Sequence, residues 1–252
     1  MSNKFRVLSL SGGGIRGVFT ASFLAKLEEL TDKRLADHFD LIVGTSTGGL
    51  IALAMGLEQP PRTILDFYLT QGAGIFPPEK TRWSLLRGKK IFFPKHNESG
   101  LRDALQKRVG TETILGKSVR PLVNDWKMKA WEIGMATAAA PVFFRAFQGE
   151  SGTDYIDGGV WANCPVLVGV IEAMTAFGKS GKEIDVLCVG TTRSPFSVDP
   201  KARNGGAWQN VSMRNRRVVD LLSEASRGAA MNMAQLLVGS DGLMEIDSVV
   251  EP

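Results

Sequence analysis

Gly44-Thr45-Ser46-Thr47-Gly48 is a Gly-x-Ser-x-Gly pentapeptide set between two apolar runs. Phe39-Asp40-Leu41-Ile42-Val43 precedes it, and Gly49-Leu50-Ile51-Ala52-Leu53-Ala54-Met55 follows. Strand, tight turn and helix in that order make a nucleophile elbow, which lifts a serine hydroxyl into the open. The hydroxyl is a weak nucleophile until a base takes its proton. The chain has two histidines, His38 and His96. A triad in the order Ser, Asp or Glu, His needs a histidine late in the chain, and none follows His96. His38 stands at a helix–strand junction before the elbow, and His96 stands in the loop Phe93-Pro94-Lys95-His96-Asn97; both read as ordinary surface or junction residues. A carboxylate can act as general base where geometry and local pKa suit it. Asp157, in Tyr155-Ile156-Asp157-Gly158-Gly159, is the strongest candidate. Gly158 and Gly159 let that turn approach another loop closely. By itself Asp-Gly-Gly also fits a plain β-turn.

A second loop supplies donors for an anion. Phe5 to Leu10 alternates as a strand does, Ser11-Gly12-Gly13-Gly14-Ile15-Arg16-Gly17 follows, and Val18 to Leu30 has helical spacing, with Phe19, Phe23, Leu27 and Leu30 expected inward. A glycine-rich loop at a helix N-terminus presents free N–H groups at the positive end of the dipole. Such donors can hold a phosphate or the oxyanion of a tetrahedral intermediate. Gly12, Gly14 and Gly17 also satisfy the dinucleotide fingerprint. That fingerprint wants an acidic residue about 20 residues on, at the end of the second strand. Here Asp40 begins the second strand and the elbow ends it, so the dinucleotide reading loses.

Taken in order, the glycine loop, the Gly44–Gly48 elbow and Asp157-Gly158-Gly159 resemble the patatin-like phospholipases. Ala136-Thr137-Ala138-Ala139-Ala140-Pro141 is similar to that family's segment upstream of its aspartate. The resemblance spans about residues 5–192, with a weaker echo beyond. It implies an acyl hydrolase with a Ser–Asp dyad and no histidine base. Ser46 would be the nucleophile and Asp157 the base. The N–H groups of Gly13 and Gly14 would form the oxyanion hole, with Gly12 and Arg16 shaping the loop. Gly44, Gly48, Gly158 and Gly159 would support the motifs. No metal or other cofactor is implied for catalysis. Two departures stand out. Ser11 replaces the family's usual Asp, which implies altered loop anchoring with retained catalysis. Val119 to Trp126 is short for the family: either residues are absent near 123–126 or a lid over the site is trimmed.

The resemblance further implies a membrane phospholipid substrate, cleaved at its ester bonds through an acyl-Ser46 intermediate. The compact form is also similar to bacterial patatin-like effectors of antiphage signalling, which a cyclic oligonucleotide switches on to degrade the host membrane. A cyclic nucleotide activator is therefore an expectation beside two alternatives: a constitutive (lyso)phospholipase or esterase, and a phosphate-binding module without chemistry. A homo-oligomer is compatible with all three.

Bulk properties bound these readings. The chain has 252 residues, 44% hydrophobic content and a formal net charge of +4. That length and composition suit a single globular domain over 1–252. The small net charge argues against an obligate DNA or RNA binder. Residues 79–95 nonetheless carry six basic side chains, among them Lys80, Arg82, Arg87, Lys89 and Lys90, interleaved with Trp83, Leu85, Leu86, Phe92 and Phe93. Basic and aromatic residues together suit an anionic membrane surface, a nucleotide phosphate, a dimer contact or a plain solvated loop. Cys164 and Cys188 lack metal-ligand spacing and read as buried thiols of a reducing compartment. The N-terminus lacks a convincing signal peptide, because Arg16 and the glycines interrupt its apolar stretch. The uncharged run Leu41–Leu57 is broken by the elbow, so it reads as strand plus buried helix. The expected location is the cytoplasm, acting at the inner face of the membrane.

The remaining elements must position these loops. Ser99 is expected to cap a helix through Arg108, with Leu101, Ala104 and Leu105 inward. Asn163 and Pro165 open a helix, and Ile184 to Val189 reads as a buried parallel strand ending at Gly190. Arg216 to Val238 has the period of a long helix, with Val218, Leu222, Ala225, Ala229 and Leu236 inward. Met244 to Val250 reads as a last strand. Segments 76–97 and 194–215 are expected as mobile loops, the latter a loop or lid. Alternating strands and helices imply an α/β fold: three layers, α/β/α, around a mostly parallel central sheet. Ligands of such sheets sit at the carboxyl ends of the strands.

Overall fold

The computed structural model describes residues 4–75, 98–111, 128–141, 143–192 and 217–249. Among them, four strands form the main sheet: β1 (Phe5–Leu10), β2 (Leu41–Gly44), β5 (Ile184–Val189) and β6 (Leu243–Ile246). Their order is β2-β1-β5-β6, and every neighbouring pair is parallel. Val7 stands opposite both Leu41 and Val186, which places β1 and β2 side by side at the same level. A separate antiparallel pair, β3 (Phe147–Gln148) and β4 (Asp154–Tyr155), leads into Asp157.

Strand alternation divides the core into two faces. On β1, Phe5 and Val7 point to one side and Leu8 and Leu10 to the other, since successive side chains alternate. Helices α1 (Gly17–Thr31), α2 (Thr47–Gly56) and α3 (Pro61–Ile75) cover the Leu8/Leu10 side through Ala21, Leu24, Ile51, Met55, Ile64 and Tyr68. Helices α7 (Val166–Thr175) and α8 (Arg217–Val238) cover the other side through Val166, Val170, Ala173, Ala234 and Val238. This is the expected three-layer α/β/α arrangement. A further core beside α2 joins α4 (Glu98–Val109) and α5 (Ala130–Thr137) with Phe144 and Phe147. The short α6 (Gly159–Ala162) completes the described helices. None of them is long and apolar enough to cross a membrane.

Several sequence expectations change in detail. In α1 the buried residues are Gly17, Thr20, Ala21 and Leu24, and Leu30 is 71% exposed. Small residues let α1 approach the sheet closely, so the larger Phe19, Phe23 and Leu27 are only partly covered. In α8 the inward residues are Ala230, Met231, Ala234 and Val238, whereas Ala225 and Ala229 face outward and Leu236 is 86% exposed. The side chains of Val218 and Leu222 lie outside the described residues. Ser99 lies in the first turn of α4, which begins at Glu98. Cys164 and Cys188 meet in the core with their sulfurs 3.6 Å apart and remain free thiols. Segments 76–97 and 193–216 and the short stretch 119–126 lie outside the described residues, and with them His96, Lys80, Arg82, Arg87, Lys89 and Lys90.

Candidate active site

Ser46 lies in the turn between β2 and α2 with φ 55° and ψ −124°. A non-glycine residue held there costs about 1–3 kcal/mol, supplied by the surrounding packing. The packing is visible in the flanking glycines. A Cβ on Gly44 would overlap the Gly48 carbonyl, and one on Gly48 would overlap the Leu10 carbonyl at the end of β1. Gly44 and Gly48 therefore let the helix start directly against the strand ends. The Ser46 N–H donates to Thr137 Oγ1 of α5 at 3.0 Å. Thr45 Oγ1 donates to the Ala162 carbonyl at 2.8 Å, joining the elbow to the segment after Asp157.

Asp157 follows β4 and is 3% exposed. Its N–H donates to the Ala139 carbonyl at 3.0 Å, and its Oδ1 accepts the Gly159 N–H at 2.7 Å. Burial pushes its pKa above the ordinary carboxylate value; side-chain hydrogen bonding with Ser46 and the Gly159 N–H work against that rise. Desolvation is the larger effect. Burial thus leaves the carboxyl group holding a proton more readily than a surface aspartate, with Ser46 among the groups that act against that rise. Gly158 brings the turn within van der Waals reach of Thr45, 3.3 Å from where a Cβ would stand. His38 sits in a short 3-10 turn, Leu35–His38, at the opposite end of β2 from Ser46.

The glycine loop lies between these two groups. A Cβ on Gly12 would be 2.5 Å from Asn163 Oδ1 and 3.0 Å from Ser46 Cβ. Gly12 N–H donates to the Asn163 carbonyl at 2.9 Å, and Asn163 Nδ2 donates to the Gly12 carbonyl at 3.2 Å. Gly13 N–H donates to Thr47 Oγ1 at 3.1 Å. Gly14 has φ 60° and begins a 3-10 turn, Gly14–Arg16, so its N–H is one of the unpaired donors that every helix start carries. Arg16 shapes the loop from outside, with Nε 3.4 Å from the Gly13 carbonyl and Nη1 donating to the Thr192 carbonyl at 3.0 Å. The geometry therefore brings Ser46, Asp157, Gly12, Gly13, Gly14 and Arg16 together.

Sequence reasoning passed over four neighbours. Asn163 was legible only as a helix opener, yet it bridges the glycine loop to the Asp157 turn. Thr47, Thr137 and Thr191 each hold a loop backbone group. Ser11, where an Asp is usual, is buried, and its N–H donates to the Val189 carbonyl at 3.0 Å. Among the described residues no group of three or more His, Cys, Asp or Glu side chains is placed to hold a metal ion. Chemically, the arrangement offers a half-buried hydroxyl on a strained turn, a buried carboxylate and a glycine loop whose Gly12 lies against Ser46.

Comparison with known proteins matches residues 8–170 to the family model described as patatin-like phospholipase. That span contains the glycine loop, the elbow and Asp157. The chain is 32% identical to a cGAMP-activated phospholipase of Escherichia coli (strain TW11681), over 81% of this chain and 67% of that protein. It is 32% identical to a cGAMP-activated phospholipase of Pseudomonas aeruginosa (strain BWHPSA011 / Pa011), over 98% of this chain and 79% of that protein. It is also 27% identical to patatin-like protein 1 of Arabidopsis thaliana, over 88% and 68% of the two chains.

Proposed function

The chain belongs to the patatin-like phospholipase family, and from that premise we propose that it hydrolyses the acyl ester bonds of membrane glycerophospholipids through a Ser46–Asp157 dyad. Ser46 Oγ attacks the ester carbonyl carbon and its proton passes to the Asp157 carboxylate. The carbonyl oxygen becomes an oxyanion, met by the Gly14 N–H and by the Gly13 N–H once the Thr47 hydroxyl yields it. The intermediate collapses to acyl-Ser46, and the departing lysolipid oxygen takes the proton from Asp157. Asp157 then draws a proton from water, whose oxygen attacks the acyl carbonyl carbon; the bond to Ser46 Oγ breaks, the fatty acid leaves and Ser46 Oγ takes that proton back from Asp157. What supports this reading is a buried carboxylate, its pKa raised by burial and lowered by Ser46, beside a chain turn that holds the serine in elbow geometry. Exposed Ile156, Val160 and Trp161 beside Asp157 suit a site that meets acyl chains.

The test is fatty-acid release from phosphatidylethanolamine–phosphatidylglycerol vesicles by purified protein. Ser46→Ala and Asp157→Asn should each abolish it, and a fluorophosphonate probe should label wild type and spare Ser46→Ala. Wild-type turnover by Ser46→Ala would remove the dyad; absence of labelling in wild type would favour a phosphate-binding module.

The bacterial relatives described as cGAMP-activated phospholipases motivate a second element of the proposal. A cyclic oligonucleotide activates this chain at the inner face of the membrane, as in an antiphage effector. The basic stretch of sequence with Lys80, Arg82, Arg87, Lys89 and Lys90 is a candidate for contact with nucleotide phosphate or anionic lipid. Titration with cGAMP and related cyclic nucleotides, read by lipid hydrolysis and by heat of binding, decides this. Full activity without any of them would make the protein a constitutive phospholipase.

A further inference from the structure

The glycine loop is braced from the far edge of the sheet. β5 ends at Val189, and the three residues after it serve the loop in turn. Gly190 is tied to β6, its N–H donating to the Ile246 carbonyl at 2.8 Å. Thr191 Oγ1 donates to the Gly12 carbonyl at 3.1 Å, and the Thr191 side chain fills the space that a Cβ on Gly13 would need. Thr192 offers its carbonyl to Arg16, which reaches on to the Gly13 carbonyl. Thr192 does so from the left-handed region, with φ 70°. A β-branched residue stays there only when something holds it.

Asp247 is what holds it. This residue directly follows β6, and its side chain is 7% exposed. Its Oδ1 accepts the Thr192 N–H at 3.0 Å and the Ser248 N–H at 2.9 Å. Gly190 makes room for the carboxylate, because a Cβ there would overlap it. On the other side Arg227 of α8 brings Nη2 to 4.0 Å from Oδ2, while the same guanidinium pairs with Glu224 and Glu245. A buried carboxylate thus accepts the strained Thr192 N–H, with the arginine's charge near its other oxygen.

We propose that Asp247 is a positioning residue for ester hydrolysis, acting through Thr192 and Arg16 to hold the glycine loop in register with Ser46. It touches neither substrate nor dyad. The proposal rests on the reading of the glycine loop as the oxyanion site. Donors aimed at an oxyanion stabilise the transition state more than the ground state, so their displacement lowers kcat and leaves KM nearly unchanged.

The experiment measures kcat and KM on a soluble short-chain ester for wild type, Asp247→Asn, Thr192→Gly, Arg16→Ala and the pairwise combinations, with thermal unfolding recorded for each. Asp247→Asn should lower kcat at least about tenfold with KM within about twofold. Glycine takes positive φ without help, so Asp247→Asn in the Thr192→Gly background should lower kcat by less than about threefold. Asp247→Asn and Arg16→Ala should combine to less than the product of their separate effects. An Asp247→Asn enzyme with wild-type kcat overturns the proposal. So does a loss that Thr192→Gly leaves intact, or one that multiplies independently with Arg16→Ala. If Asp247→Asn does not fold, Arg16→Ala reads the same path from its exposed end, and an unchanged kcat there overturns the proposal. Activity in a Ser46→Ala control would instead defeat the underlying dyad reading.

Discussion

At the scale of single residues, Asp157 is set by a conflict between burial and function. A base must be ionised to accept a proton, and burial disfavours the ionised form. Under the dyad reading, the acid limb of kcat/KM therefore lies above the ordinary carboxylate range, and activity falls as pH drops through the raised pKa. A pH–rate profile on a soluble ester checks this; an acid limb at or below the ordinary value would contradict it. The same shift has a stability consequence. A group whose folded pKa is raised favours the fold fully below its unfolded pKa and loses that benefit as pH rises through the folded pKa. Asp157→Asn should thus unfold at a higher temperature than wild type at neutral pH, with the gap closing in acid. Scanning calorimetry across pH would show it. Gly12 makes a second point at this scale. Its missing side chain is the contact, since Asn163 and Ser46 occupy the space. Gly12→Ala should keep the far-ultraviolet circular dichroism of wild type and lose at least about tenfold in kcat, because the loop donors shift away from the serine.

At the scale of elements, helical period and actual packing part company in α8. Period alone places Leu236 inward, yet it is 86% exposed and the fully buried residue is Ala234. Ala234 is fully buried in the core it shares with Val166, Val170 and Ala173 of α7, so only a small side chain fits there. Ala234→Leu should overpack that contact and cost about 1–3 kcal/mol. Leu236→Ser should change stability by no more than about 0.5 kcal/mol. Chemical denaturation of the two variants side by side tests the assignment of the face; the reverse order would reject it. The elbow illustrates the opposite case. α2 begins against the carbonyls at the end of β1, and Gly48 is the residue type that this contact demands. Here the local pattern and the tertiary contact agree.

At the scale of the whole molecule, regulation is a question of linkage. A ligand that binds the folded state alone stabilises it by RT ln(1 + [L]/Kd), about 2.7 kcal/mol at a hundredfold excess over Kd. If cGAMP activates this chain as proposed, melting temperature and lipid hydrolysis should rise together over one concentration range. A melting curve unmoved by saturating cyclic nucleotides would separate this protein from the cGAMP-activated relatives in control, while leaving its hydrolase family in place. The chain's architecture accommodates either outcome, since the glycine loop and elbow stand at the ends of β1 and β2.

The sequence by itself determined the α/β class, the parallel strands and the three segments that carry the proposed chemistry. Each is written in local terms: a strand's alternation, a glycine where a turn leaves no room, an aspartate before two glycines. Phe5–Leu10 and Ile184–Val189 appear in the structure with the bounds their patterns predict. Only the tertiary structure decided which helix faces turn inward, because small residues pack closest and amphipathic period does not weigh size. It also decided what holds the loops. Asn163, Thr137, Thr191 and Asp247 act across gaps of tens to hundreds of residues. A polar residue's partner is chosen by chain packing, and no spacing along one strand of sequence encodes that choice.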